Sequence, residues 1–443
     1  MSTPQNPPAT NREVGLVEEC REGFVSGWAQ VPGIPLMPAI LDVAVDGFPA
    51  GSVKANVFRP DLRKLGIRDG FAAFRFSVPD RYRDGKTHHV TVTERVSKAV
   101  LGGIGLFRFE ALAEKPTRDR MFLYSVVQSH TLDTPAFASA VAAKRKLAIL
   151  AVYAPGNRLL GFHHQLIAML AEMGFAVVLG LGRAEDPSMT VVPPLDSKAD
   201  AYLIKDNLGY DFGTWFAALA AAKPHLPQVE ELLFINDSIF GPLCPARALS
   251  DMIGSAQSDV IGICDSYERA YHLQSFFLLF RRKAIESGFL FDFADTYPFS
   301  NDKEDVIRDG EISLTQSLLS AGLSCEALFP YERLARRWLD RAAEYLGAAR
   351  LLPEYGSDSD ASVQHLLAWV RRLRRGEPLN PSHFFWDTLI ERGCPFVKRE
   401  LLFKNPMETP LIARAPALIE ASGYSLAYVR EAAQRYGTSK VFF

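Results

Sequence analysis

The sequence predicts two units of different class: a small antiparallel β-sandwich, followed by an α/β domain built on a mostly parallel sheet. Three observations carry this. Up to about residue 100, short stretches alternate polar and apolar residues with period two and are joined by turn dipeptides, the pattern of half-buried antiparallel strands. After Lys146 the apolar runs become continuous, as in strands buried on both faces. Those runs are separated by segments of helical periodicity, and strand and helix in alternation give an α/β domain.

Residues 1–12 are rich in Pro, Asn and Thr and read as a disordered tail. The sandwich is expected over residues 20–110. Residues 24–29 lead to a strand at 40–45, which ends at Asp46-Gly47, a strong hairpin turn. Residues 74–78 alternate, and so do 89–93 after the Asp84-Gly85 turn. His88 and His89 are sequence neighbours, so on a strand they face opposite ways and are poorly placed to share a metal. Residues 111–145 connect the two units. The α/β domain is expected over 146–410, with strands at 147–152, 176–179, 201–204, 231–235 and 260–263, and helices at 159–173, 212–222 and 245–257. Residues 411–443 are assigned to a C-terminal helical extension.

Composition narrows the function. The 443 residues are 48% hydrophobic and 23% charged, as in ordinary soluble globular protein. Lys and Arg number 49 against 51 Asp and Glu, a net charge of −2, which removes the electrostatic case for nucleic acid as the main partner. No stretch approaches the ~20 apolar residues that span a bilayer, and the first twelve lack the apolar core of a signal peptide. The five cysteines, Cys20, Cys244, Cys264, Cys325 and Cys394, are scattered with no Cys-x-x-Cys pair. That argues against a disulfide framework and a zinc site, and for a cytoplasmic protein. Gly-x-Gly-x-x-Gly and Walker-type loops are absent, so dinucleotide redox and P-loop chemistry are not supported.

In open α/β sheets ligands gather at the carboxyl ends of strands, which selects the polar residues to weigh. The apolar run 231–235 ends abruptly in Asn236-Asp237-Ser238, then Gly241-Pro242. A carboxylate there suits a hydrated Mg²⁺ or Mn²⁺ bridging phosphates; the competing reading is an Asx-turn that caps the strand. Upstream, Asp206, Asn207, Gly209 and Asp211 follow a strand and open a helix, with Asp211 as a candidate N-cap. Loop polar groups at this point suit a base or ribose, or simple turn chemistry. In 310–322, Ile312, Leu314, Leu318 and Leu319 approximate one apolar helix face with Gly322 as C-cap. Glu311 then stands at the helix N-terminus, as a general base for a hydroxyl nucleophile or as a solvated cap. Residues 271–281 read as a buried strand with His272 and Gln274 on one side, available to hydrogen-bond a substrate. The tail from Tyr331 carries many arginines, including Arg371, Arg372, Arg374 and Arg375. Such a face is a solvated surface, or a contact for anionic headgroups or a diphosphate. The aromatic and charged segments 380–387 and 395–402 carry no chemistry that physics alone assigns.

These segments occur in one order: Asn-x-Gly-Tyr-Asp-Phe-Gly-x-Trp at 207–215, Ile-Asn-Asp-Ser-x-x-Gly-Pro at 235–242, His-Leu-Gln-Ser-Phe-Phe-Leu at 272–278, Glu-Ile-x-Leu-x-Gln at 311–316, and Asn-Pro-Ser-x-x-x-Trp-Asp with Pro-Phe-x-Lys-x-Glu-Leu-Leu across 380–402. Together they resemble the rhamnan synthesis protein F family of bacterial polysaccharide glycosyltransferases, over roughly residues 145–410. The layout also resembles a GT-A glycosyltransferase, a Rossmann-type fold, and residues 20–100 resemble a β-rich module found beside bacterial glycan enzymes. Asn236-Asp237-Ser238 departs from the Asp-x-Asp of GT-A enzymes in supplying one carboxylate.

The resemblance implies transfer of a sugar from a nucleotide-sugar donor such as dTDP-rhamnose to a glycan or lipid-linked glycan hydroxyl, with inversion. It implies Asp237 as the ligand of a divalent cation, Mn²⁺ or Mg²⁺, that stabilises the leaving diphosphate. Glu311 is then the base. Asp206, Asn207, Gly209, Asp211, Asn236 and Ser238 hold the donor, and His272 and Gln274 border the acceptor. With no spanning segment expected, a lipid-linked acceptor is met at the inner face of the cell membrane. Two other classes compete: a metal-dependent phosphoryl-transfer or nucleotide-sugar hydrolase, and a non-catalytic glycan-binding or scaffold protein.

Overall fold

A computed structural model describes residues 10–21, 23–34, 37–79, 82–103, 105–110, 127–153, 158–183, 198–351, 359–407, 409 and 411–436. Residues 1–9 of the expected tail and 111–126 of the expected connection lie outside them.

Among the described residues the first sheet has nine strands: β1 Thr10–Arg21, β2 Phe24–Ala29, β3 Ile40–Val45, β4 Phe48–Lys54, β5 Val57–Phe58, β6 Phe71–Ser77, β7 Thr87–Glu94, β8 Val100–Gly103 and β9 Leu106–Arg108. Thr10 to Arg12, expected in the tail, instead open β1, because Thr10 and Asn11 pair with Val100 and Leu101 of β8. The strand order is β4-β3-β7-β8-β1-β2-β6-β5, with β9 on β7, and all pairings are antiparallel except β1 with β8. The β3–β4 turn holds Asp46 at φ 52° and Gly47 at φ 81°, the left-handed pair that a tight hairpin requires. Alternate residues of the curled sheet, among them Val25, Val43, Phe74, Val92 and Leu101, share one core.

The second sheet contains β10 Val127–His130, β11 Lys146–Tyr153, β12 Ala176–Arg183, β13 Ala201–Asp206, β14 Glu231–Asn236, β16 Val260–Ser266, β17 His272–Leu273, β18 Phe277–Arg281 and β19 Cys325–Phe329. Two short strands, β15 Ile239–Phe240 and β20 Val397–Lys398, pair separately. The order is β10-β13-β12-β11-β14-β18-β16-β17, with β19 on β16. The expectation of a mostly parallel sheet needs correcting: the sheet is mixed. Strands β13, β12, β11 and β14 are mutually parallel, as is β16 with β19, while β10, β17 and β18 run antiparallel to their neighbours. The reversal arises because the chain turns back between β16 and β17, over residues 267–271, so that β18 returns beside β16 without the helical crossover that a parallel neighbour needs.

Helices cover both faces, and the strands show it residue by residue. Ala148, Leu150 and Val152 face a core shared with the helix Gly161–Glu172, whereas Leu147, Ile149 and Ala151 face a core shared with the helix Tyr210–Ala222. In β14, Leu233 and Ile235 face the first core, Leu232 and Phe234 the second. The segment assigned to a C-terminal helical extension holds the helices Ala415–Ala421 and Leu426–Arg435, whose Ile419 and Val429 join the first core.

The two sheets are joined by specific contacts. Ser320 donates to the Ala50 carbonyl at 3.2 Å, Asn56 to the Gly376 carbonyl at 2.6 Å, and buried Lys54 lies 3.1 Å from Glu332 and over the ring of Tyr331. Strand β4 thereby packs on the helix Ser313–Ser320, the element that continues from Glu311.

Candidate functional site

At the end of β13 the chain turns sharply. Buried Lys205 donates to the carbonyls of Asp206 and Leu208. Burial pushes its ammonium down to about 8, against the pull of Asp206 and Asp211. Gly209, at φ 77°, takes the N-cap position expected for Asp211, and its N–H donates to Asn301 at 3.0 Å. Gly213 is required because a Cβ there would lie 2.0 Å from the Leu208 carbonyl oxygen. Asp211 therefore sits in the first helical turn and accepts from the Asn236 amide at 2.7 Å. Burial and the nearby Asp237 charge push its carboxyl up to about 7.

The alternation of β14 continues through its polar end. Asn236 follows Leu232 and Phe234 and faces the side of Asp211; its side-chain Oδ1 accepts from the Ser238 N–H and hydroxyl. Asp237 follows Leu233 and Ile235 onto the opposite face. There one carboxylate oxygen accepts from Arg399 at 3.2 Å, His163 Nε2 at 3.2 Å and the Tyr436 hydroxyl at 3.3 Å. His163 Nδ1 accepts the Leu160 N–H, which leaves Nε2 as the donor. Burial raises the Asp237 carboxyl, but Arg399 and His163 outweigh it and hold the group below its ordinary value. This differs from the expected metal ligand: period-two alternation turns the one carboxylate of Asn236-Asp237-Ser238 away from its two neighbours and into contact with a guanidinium. Among the described residues no group of three or more His, Cys, Asp or Glu side chains is arranged to hold a metal ion. The donor set does not fit a divalent cation held by Asp237.

Glu311 does not begin a helix. It lies in a π-helical turn, Val306–Ile312, that runs into the helix Ser313–Ser320. The end of that helix is as expected: Gly322, at φ 78°, caps it while the Leu323 N–H reaches the Leu318 carbonyl. Residues 271–281 are not one strand but two, with the turn at Ser275-Phe276 between them. His272 Nε2 lies 3.1 Å from Glu311, Nδ1 lies 2.9 Å from the Ala270 carbonyl, and Ser275 donates to the other Glu311 oxygen. Both ring nitrogens face acceptors, so His272 is an imidazolium. Burial lowers its pKa, yet Glu311 outweighs this and the net shift is upward. Burial likewise raises Glu311, but His272 and Ser275 outweigh it and hold the carboxyl at about 2. Two neighbours fix this pair: Gln316 donates to the Tyr271 carbonyl, and Thr315 accepts the Leu273 N–H at 3.0 Å. Gln274 donates to Asn380 at 3.1 Å, while its side-chain carbonyl oxygen is buried with no partner among the described residues.

The sheet edge closes with β20, paired antiparallel to β15. The Arg399 N–H donates to the Ser238 carbonyl at 2.9 Å, and Lys398 Nζ donates to the Ser238 hydroxyl at 3.1 Å. These elements border a cavity of about 770 Å³, within the range of small-molecule sites. Asp211, Asn236, Ser238, His272, Gln274 and Glu311 line it together; Asp206, Asn207, Gly209 and Asp237 do not. Lys398, Arg399, Ser275 and Asn380 line it too and carried no assignment from sequence. Three of these four belonged to the ordered motifs, and Arg399 lies within the span of the last, so the signal was present without a direction in space.

Residues 189–355 match the family model described as Rhamnan synthesis protein F. The match spans the Asn207 loop, Asn236 to Ser238, His272 and Glu311, and it agrees with the family that the ordered motifs resemble. The chain is also similar to "Virulence protein VirA" of Vibrio anguillarum, 26% identical over 273 residues that cover 60% of this chain and 82% of that protein. A second relative, "Uncharacterized protein y4gN" of Sinorhizobium fredii, is 26% identical over 198 residues, covering 43% of this chain and 50% of its own. The family match relates the chain to polysaccharide synthesis.

Proposed function

Taking the rhamnan synthesis protein F match as the premise, we propose that the protein is a glycosyltransferase of bacterial surface polysaccharide synthesis. It would transfer a sugar, with rhamnose the first candidate, from a nucleotide-sugar to a glycan hydroxyl. The observation that carries this is one cavity at the sheet's carboxyl edge that brings Glu311, His272 and Gln274 together with Asn236, Ser238, Lys398 and Arg399. Strands β13, β12, β11 and β14 in parallel, followed by the reversed β18, support a GT-A-like reading of the same sheet.

The chemistry needs a base on one side of the sugar C1 and cations on the other. Oxygen of the acceptor hydroxyl bonds to C1. The C1–O bond to the diphosphate breaks with its electron pair leaving on the diphosphate oxygen, and the hydroxyl proton passes to Glu311. The Ser275 hydroxyl donates to Glu311, as an acceptor hydroxyl would. The unpartnered Gln274 carbonyl oxygen is suited to receive a sugar hydroxyl. Asp211 and Asn236 border the donor.

A lipid-linked acceptor would be met at the membrane surface, since among the described residues no helix is long and apolar enough to cross a membrane. Of the basic cluster considered for that contact, Arg372 pairs with Glu377 at 2.7 Å and Arg375 lies over the ring of Phe71, leaving Arg371 and Arg374 as the residues to test.

The test is transfer from a panel of UDP-, GDP- and dTDP-sugars to a rhamnan-type oligosaccharide. One donor is expected to label the acceptor, and Glu311→Gln should slow transfer by about 10²–10⁴-fold while donor binding persists. Donor cleavage without labelled acceptor would replace this reading by a hydrolase. Binding of glycan with no donor consumed would favour a non-catalytic module.

A further inference from the structure

We propose that the leaving nucleoside diphosphate is held by Lys398 and Arg399 together with Ser238, in place of a divalent cation on Asp237. This rests on the glycosyltransferase reading. Four observations lead to it. Strand alternation directs Asp237 away from the cavity and leaves Asn236 and Ser238 facing it. The Asp237 carboxylate is already neutralised by Arg399, with His163 and Tyr436 as further donors to the same oxygen. Lys398 lines the cavity with its ammonium on the Ser238 hydroxyl and 4.4 Å from the Phe276 ring centre, and among the described residues it forms no ion pair with a carboxylate. The register of β15 with β20, with Ile239 opposite Lys398, fixes both cations beside the end of β14.

Physically, a diphosphate leaving with the C1–O electron pair gains negative charge, and stabilising it needs positive charge already in place. A lysine and an arginine supply together the formal charge of one divalent cation, and they are braced by backbone pairing and need no acidic ligand set. Among the described residues the ammonium's direct contacts are the neutral Ser238 and Phe276, with Glu311, Asp211 and Glu400 acting on it from beyond ion-pair distance, so an incoming phosphate oxygen has no ion pair to break. Arg399 serves two ends at once, since its guanidinium lines the cavity, touches Asp237 and stacks on Tyr436.

The experiment is calorimetric titration of the full chain with UDP, GDP and dTDP, each in excess EDTA and again with Mn²⁺. Wild type, Lys398→Met and Lys398→Arg are compared, and thermal melts check that each variant is folded. At least one nucleoside diphosphate is expected to bind in EDTA within about threefold of its affinity in Mn²⁺. Lys398→Met should weaken it by about 10- to 100-fold and Lys398→Arg by much less. Binding that appears only with Mn²⁺, or a folded Lys398→Met that binds as wild type does, overturns this inference and leaves the transferase reading standing. No nucleotide bound under either condition overturns both.

Discussion

Two carboxyls that share one cavity are driven in opposite directions by their neighbours. Glu311 meets an imidazolium and a hydroxyl and is held at about 2; Asp211 meets burial and another carboxylate and is pushed up to about 7. Each shift is a statement about stability. Glu311 is depressed, so its contribution is present above the ordinary carboxylate pKa and is lost as pH falls through about 2. Asp211 is raised, so its contribution is full below the ordinary value and is lost as pH rises through about 7. Asp211→Asn imitates the protonated form and keeps an oxygen to accept from Asn236. Its melting midpoint should therefore match wild type near about pH 4 and exceed it by a growing margin towards about pH 8. Equal midpoints at both ends would remove the raised carboxyl from the account.

At the level of elements, the site depends on backbone held where backbone rarely goes. The loop from Lys205 to Gly213 works because Gly209 adopts a left-handed conformation and Gly213 lets the Leu208 carbonyl approach. Gly213→Ala places a Cβ against that carbonyl and should cost about 1–3 kcal/mol, read as a lower midpoint in urea at unchanged slope. Unchanged stability would mean that the loop relaxes freely. The π-helical turn matters in the same way, since it lies between the loop at Asn301 and the helix braced by β4, and it carries Glu311 to His272. Helical periodicity in residues 310–322 marked the apolar face, with Leu314 and Leu318 buried, but a π turn changes no residue type and leaves no mark on that pattern.

Across the whole molecule, the first sheet is a buttress for the second. Gly51 of β4 approaches Gln316 so closely that a Cβ would lie 2.3 Å from its amide oxygen, and Gln316 in turn holds the Tyr271 carbonyl beside His272. With Lys54 buried against Glu332 and Tyr331, the halves share an interface that neither would leave exposed. Calorimetry of the full chain should show one cooperative transition. Two well-separated transitions would mean that the sheets unfold independently and that β4 does not brace the site.

What was legible in the sequence was local. Continuous apolar runs marked the strands because burial on both faces removes polar residues from them, and the same runs stopping at Asn236 and at Asp206 marked the carboxyl edge. Short-range order in the motifs was enough to bring Asn236, Ser238, His272, Gln274 and Glu311 to one cavity. Direction and distance were not legible. A strand apolar on both sides does not say which face of its end opens to ligand, so only packing against the helix Tyr210–Ala222 decided that Asn236 faces the cavity and Asp237 does not. Nor does a reversed strand announce itself, because β18 is as apolar as the parallel strands of the same sheet. Lys398 and Ser238 stand 160 residues apart in the chain, and the contact between them exists only because β20 pairs with β15. Burial is written residue by residue, whereas pairing belongs to two segments at once, and the tertiary structure alone determines which two meet.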